Sequence, residues 1–165
     1  MPLPENQDER QDEEWMREAI AVARAGIAAL QSPFGCVIIH GGRVLAAAHN
    51  QVWADTDPTA HAEVNAIRAA SRALRSIALT GCTLYSTCEP CPMCMAAIHW
   101  ARIERVVYGA EIADAAAAGF HELHLGAADL LRLGGSTVRI EGGCQAEACR
   151  RLFQDWLSST GAKTY

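Results

Sequence analysis

A chain of 165 residues, half of them apolar, is long enough for one domain that buries about 70% of its unfolded surface. No apolar run approaches the ~18 residues of a membrane span and no secretory leader opens the sequence, so a cytoplasmic protein is expected. The net charge of −5 resides in residues 1–14, which hold six acids and one base, while residues 15–165 carry thirteen of each; a neutral body argues against nucleic acid as a partner.

Residues 1–14, MPLPENQDERQDEE, read as an acidic disordered tail, and residues 15–165 as a single domain. Trp15, Ala19, Val22, Ala23, Ile27 and Leu30 then recur at helical spacing behind a run of acids, which predicts an amphipathic first helix. FGCVIIH and RVLAAAH flank Gly41-Gly42, a pair suited to a hairpin turn. QVWADTDPTA reads as a polar loop. A helix over 61–75, a strand in CTLYST, a helix in CPMCMAAIHWA and a strand in IERVVYG follow. EIADAAAAG reads as a packing segment of small residues, and HELHLGAADLLRLGG as either a loop or a short helix. A strand in STVRI and a last helix in QAEACRRLFQDWLSS complete an alternating pattern. That alternation predicts an α/β fold whose sheet is covered on both faces.

Seven cysteines are an odd count, and without a leader they point to thiols that bind metal or pack as small hydrophobes. Cys36, Cys82, Cys144 and Cys149 are expected to pack. The remaining three lie in STCEPCPMC, where Cys88, Cys91 and Cys94 stand three apart and CxxC reads twice. Thirty residues upstream, TAHAEV supplies His61 and Glu63 at the start of a predicted helix. H-x-E followed by P-C-x-x-C is the signature of zinc deaminases.

The chemistry suits the spacing. Catalytic zinc takes three protein ligands and leaves the fourth position to water. Thiolates are favoured at a helix N-terminus, and Pro92 suits the first helical position, which puts Cys91 at the cap and Cys94 one turn inside. Residues two apart on a helix point about 200° apart, so His61 and Glu63 can share a site only off the helix end. His61, Cys91 and Cys94 are therefore the expected zinc ligands, with Glu63 as the proton carrier. Cys88 precedes Glu89-Pro90, an extended dipeptide that carries it away, and is expected outside the ligand set. A closed site of all three cysteines with His61 would leave Glu63 without a task, and a redox CxxC would explain neither His61 nor Glu63.

DPTAHAEVNAIRAA and STCEPCPMCMAAIHWARI together resemble the cytidine-deaminase-like superfamily, and within it the bacterial guanine deaminases. The resemblance runs from SPFG through Asn50 and YGAEIADAAAAGF to FQDW and Tyr165. It implies a three-layer α/β/α sandwich around a five-stranded mixed sheet. It also implies one zinc ion per chain, Asn50 bonded to a nucleobase, and Phe34 and Trp100 near the pocket. Tyr165 would reach a neighbouring subunit's site, in a homodimer with C-terminal exchange. Guanine deaminases carry two aspartates after AGF; here His121-Glu122 stands instead, so Glu122 is the matching substrate-binding carboxylate.

The expected activity is hydrolytic deamination of a free nucleobase or nucleoside, guanine or a close analogue first. A tRNA adenosine deaminase, a cytosine or cytidine deaminase, and a structural zinc module without catalysis are the alternatives.

Overall fold

The computed structural model describes residues 7–165. Helix α1 (Gln7–Ala28) opens the chain, followed by β1 (Gly35–His40), β2 (Arg43–His49) and a short α2 (Val52–Asp55). Helix α3 (Ala62–Leu74), β3 (Cys82–Cys88), α4 (Pro92–Trp100) and β4 (Arg105–Ala110) form the centre. The chain closes with α5 (Ile112–Ala117), α6 (Ala127–Gly134), β5 (Arg139–Glu141) and α7 (Ala146–Leu157).

The five strands form one sheet in the order β2-β1-β3-β4-β5. β1 pairs antiparallel with β2 and β3, whereas β3–β4 and β4–β5 are parallel. The sheet is mixed, as the resemblance implied. Gly41 and Gly42, at φ 57° and 70°, make the two-residue turn between β1 and β2, a backbone that glycine adopts without steric cost.

Side chains alternate across the strands, and this alternation builds two cores. Val37, Ile39, Tyr85 and Val107 face α1 and α7 in a cluster with Met16, Ile20, Leu152 and Trp156. Cys36, Ile38, Leu84 and Val106 face the other way, against Ala66 and Ala70 of α3, Met95 and Ile98 of α4, and Leu131 of α6. Helices thus cover both faces of the sheet. α1 lies so close to β1 that a Cβ on Gly35 would strike the backbone of Ala19 and Ala23. Cys36, Cys82 and Cys149 are buried as expected, with Cys144 partly so.

The expected tail needs correction. Helix α1 begins at Gln7, so residues 7–14 are helical, and residues 1–6 lie outside the described residues. The cause is tertiary: Asp12 accepts hydrogen bonds from Arg105 at 2.7 and 2.8 Å and from the Tyr85 hydroxyl at 2.7 Å. Asp8 and Glu9 also occupy the first turn, where the helix dipole favours them.

Three further segments resolve into helix. VWAD in the predicted loop forms α2, IADAAA forms α5, and AADLLRLG forms α6. Strand β5 is three residues long and begins later than STVRI suggested. α6 stops at Gly135 (φ 66°), and the Ser136 hydroxyl is engaged with His99, which delays the strand.

Candidate active site

Two helix N-termini converge at the C-terminal end of β3, beside the parallel β3–β4 pair. His61 is the N-cap of α3, in extended conformation (φ −68°, ψ 155°), and Cys91 is the N-cap of α4 (φ −63°, ψ 166°), followed by Pro92. The loop before His61 is fixed from both sides. Asp57 accepts from the Thr59 amide and hydroxyl at 2.8 and 2.7 Å, and Asn65 donates to the carbonyls of Ala60 and His49 at 3.1 and 3.2 Å. Thr87 accepts from the Gly35 amide at 3.1 Å, which ties the segment carrying Phe34 to β3.

His61 Nδ1 lies 3.7 Å from Cys91 Sγ and 3.5 Å from Cys94 Sγ, and the ligand atoms of the three residues all lie within 4.8 Å of one another. Zinc bonds of about 2.1 Å to nitrogen and 2.3 Å to sulfur in a tetrahedron give ligand edges of about 3.6 Å. The donor set and spacing therefore fit zinc. The Cys91 thiol is pushed down to about 4, first by its hydrogen bond with Cys94, then against burial by its bond with His61. Cys94 is correspondingly pushed up.

Cys88 is buried and its thiol donates to the Glu111 carbonyl at 3.6 Å, outside the three-residue cluster. Glu63 lies in the first turn of α3 and is buried. Its two oxygens accept from the Ser86 hydroxyl at 3.0 Å and the Cys94 thiol at 3.4 Å. Burial raises its pKa, and the adjacent Cys91 charge adds to this. Sequence reasoning gives no signal for Ser86, one of four hydroxyl-bearing residues in the CTLYSTC strand.

The pocket over this cluster has two parts. An inner cavity of about 20 Å³ is lined by Phe34, Asn50, Glu63, Cys88 and Glu89, with His61, Cys91, Glu122 and Tyr165 at its boundary. A mouth of about 220 Å³ shares those four boundary residues and adds Met93, Leu123 and Pro58. Glu122 is pushed up to about 7, chiefly by burial and then by the Cys91 charge.

Asn50 is fully buried. Its Oδ1 accepts from the Val52 amide at 3.1 Å, which turns Nδ2 towards Tyr165; that Nδ2 donates to the Tyr165 hydroxyl at 2.6 Å. The pocket thus meets Asn50 as a donor, with its acceptor already engaged.

In this structure Tyr165 enters the pocket of its own chain. Its carbonyl accepts from the His121 amide at 3.0 Å, and its ring packs on Phe120 (5.4 Å) and His61 (5.7 Å). Eight residues after Leu157 reach up to about 26 Å, enough to fold back. Trp53 anchors the returning segment, donating to the Lys163 carbonyl at 3.1 Å while the Lys163 ammonium stands 4.7 Å over its ring.

Phe34 lines the inner cavity and packs edge-on against Phe120 at 4.9 Å. Trp100 does not join it. It is 80% exposed at the far end of α4, about 13 Å of helix from Cys91.

Comparison with known proteins gives a consistent picture. A guanine deaminase from Bacillus subtilis strain 168 is 48% identical over 111 residues, 67% of this chain and 71% of that protein, and its X-ray structure superposes with a TM-score of 0.65. A tRNA-specific adenosine deaminase from the same organism is 43% identical over 100 residues, 61% of this chain and 62% of that one. A crystal structure in complex with 2,6-diaminopurine superposes with a TM-score of 0.82 at 26% identity, over 92% of this chain and 84% of that one. The model of the cytidine and deoxycytidylate deaminase zinc-binding region matches residues 9–110, which contain His61, Glu63, Cys91 and Cys94, and the chain belongs to that family.

Proposed function

We propose that this chain is a zinc-dependent hydrolase that deaminates a free nucleobase or nucleoside, with guanine or a close analogue as the first candidate. The observation that carries the reading is the pocket over the zinc site. Among the described residues its lining sets a buried amide donor, Asn50, beside the carboxylates of Glu63, Glu89 and Glu122, and includes no lysine or arginine. A ring that presents both acceptors and N–H donors complements that pair, whereas a phosphate would meet a carboxylate. The likeness to a guanine deaminase and to a structure holding 2,6-diaminopurine supports a purine.

His61, Cys91 and Cys94 would hold the zinc, which supplies a water ionisable near neutral pH as the nucleophile. Glu63, within the site and raised in pKa, would carry two protons in turn, one from the water to a ring nitrogen and one from the added hydroxyl to the departing amine. Ammonia leaves. Asn50 donates to the ring edge, Glu122 accepts from it, and Phe34 packs beside the ring. The inner cavity has room for about one water and none for a base, so Tyr165 withdraws from Asn50 before a base seats.

A tRNA adenosine deaminase is the second reading, supported by 43% identity to such an enzyme. A mouth without lysine or arginine disfavours it. A homodimer belongs to the proposal as well: Trp100, 80% exposed, lines an apolar groove between α4 and α6 with Met95, Leu130 and Leu131, the kind of patch that self-association covers. No helix of the described residues is long and apolar enough to cross a membrane.

The test is ammonia release by the zinc-loaded chain across guanine, guanosine, adenine, cytosine, cytidine and a tRNA. Turnover of guanine with none on tRNA is expected. Adenosine-to-inosine conversion in the tRNA, without turnover of any free base, would replace this reading with the second.

A further inference from the structure

We infer that Glu89 is a positioning residue that clips both ends of the substrate loop and so sets where Glu122 stands. This rests on the reading of Glu122 as a substrate-facing group. Glu89 lies between Cys88 and Pro90, in the segment that delivers Cys91 to the zinc site. Its amide donates to the Ala110 carbonyl at 2.7 Å, which fixes it across the ends of β3 and β4. Its carboxylate then reaches in two directions. One oxygen accepts from the Ile112 amide at 3.1 Å and the other from the Ala127 amide at 2.8 Å.

Those amides are the first residues of α5 and α6. The chain between them holds Phe120, His121, Glu122 and Leu123, which line the mouth of the pocket. A single carboxylate therefore satisfies an orphan N–H at each boundary of the loop, where the positive ends of two helix dipoles favour its charge. α6 needs this outside partner because its N-cap is Gly126, which has no side chain. A Cβ there would stand 3.3 Å from a Glu89 oxygen, tighter than ordinary contact. Within the loop the bonds are short-range, Glu122 N to Phe120 O at 2.9 Å and Leu125 N to Leu123 O at 2.8 Å. One further tie crosses the chain, from the His121 amide to the Tyr165 carbonyl.

Glu89 thus couples the metal segment to the substrate loop. Glutamine has the same shape but only one acceptor oxygen, so Glu89→Gln keeps one of the two bonds and faces the other amide with an N–H. Aspartate is one methylene too short to span both.

The experiment is a double-mutant cycle on zinc-loaded protein, using whichever base the wild type deaminates. Glu89→Gln is expected to lower kcat/KM about 10- to 100-fold, the scale of a ~1 Å misplacement, with zinc content unchanged and no rescue by Glu89→Asp. In a Glu122→Gln background the same substitution should change kcat/KM less than about threefold, because its effect is carried by Glu122. Full multiplication of the two losses overturns the proposal, as does an unchanged rate or the loss of zinc in Glu89→Gln. Amide exchange gives a second reading that needs no turnover. Glu89→Gln should speed exchange over residues 120–127 and leave α4 protected, and equal exchange overturns the proposal even where no base in the screen is a substrate.

Discussion

Asn50 and Tyr165, 115 positions apart in sequence, share a 2.6 Å hydrogen bond inside the zinc pocket, with the amide as donor. The bond closes the space a substrate needs and holds the chain terminus against the loop that carries Glu122. Tyr165→Phe removes the hydroxyl and keeps the ring packing on Phe120 and His61. A neutral hydrogen bond is worth about 1 kcal/mol, so thermal unfolding should shift by only a few degrees. Deleting residues 161–165 removes the tie from the Tyr165 carbonyl to the His121 amide, which holds the loop that carries Glu122, and should lower kcat/KM at least tenfold while zinc stays bound. Unchanged kinetics after the deletion would leave Tyr165 without a role in turnover.

The metal centre predicts an ordered set of losses. Cys91→Ser, Cys94→Ser and His61→Ala should each reduce zinc well below one ion per chain by elemental analysis. Cys88→Ser should keep it, because the Cys88 thiol is directed at the Glu111 carbonyl. Zinc retained in Cys94→Ser and lost in Cys88→Ser would reverse the assignment.

Glu63 predicts a separation of chemistry from binding. Glu63→Ala should cut kcat by about 10²–10⁴-fold, the usual range for a general acid–base group, with zinc content near wild type. Glu63→Gln keeps a partner for Ser86 and should lose a similar factor, since the proton acceptor is gone. Near-normal turnover in either variant would falsify the mechanism.

The metal site was legible in the sequence because its chemistry is local. Two short motifs at predicted helix starts fixed His61, Glu63, Cys91 and Cys94, and Gly41-Gly42 fixed the hairpin. What stayed hidden depends on contacts between distant segments. Residues 7–14 looked like tail because nothing in them announces Arg105 and Tyr85, which hold Asp12. The return of Tyr165 rests on Trp53, 110 positions from the Lys163 carbonyl it bonds. Trp100 was misread for a different reason: aromatic character says nothing about which end of a helix faces the pocket.

The Asp12–Arg105 pair makes an acid-stability prediction. Burial by itself raises the Asp12 pKa, and the hydrogen bonds from Arg105 and Tyr85 outweigh it, so the carboxyl is held below its ordinary value. A lowered folded-state pKa contributes stability that is present above the unfolded value near 4 and is lost as pH falls through the folded value. Both side chains are largely buried, at 14% and 19% exposure, so Asp12→Asn should cost about 1–3 kcal/mol at neutral pH. Its stability should also depend less on pH below about 4 than that of wild type. Denaturant unfolding at several pH values measures both effects; parallel curves for the two proteins would remove Asp12 as an acid-sensitive tie.

Glu122 is the residue that departs from the family's aspartate, and it lines both parts of the pocket. The extra methylene moves the acceptor outward by about one C–C bond, a displacement on the scale that costs up to about 10²-fold in rate when a reacting group is misplaced. Glu89 and Tyr165 bond the segment that carries it, at the Ala127 and His121 amides. Glu122→Gln keeps size and removes the charge; it should lower turnover of the true substrate far more than it changes zinc content or melting temperature. Glu122→Asp restores the family's residue in a loop placed for glutamate and should alter the ratio of guanine to cytosine turnover. The measurement is that ratio in wild type and both variants. Equal rates and an equal ratio in all three would put Glu122 outside substrate recognition and remove the main local support for a purine.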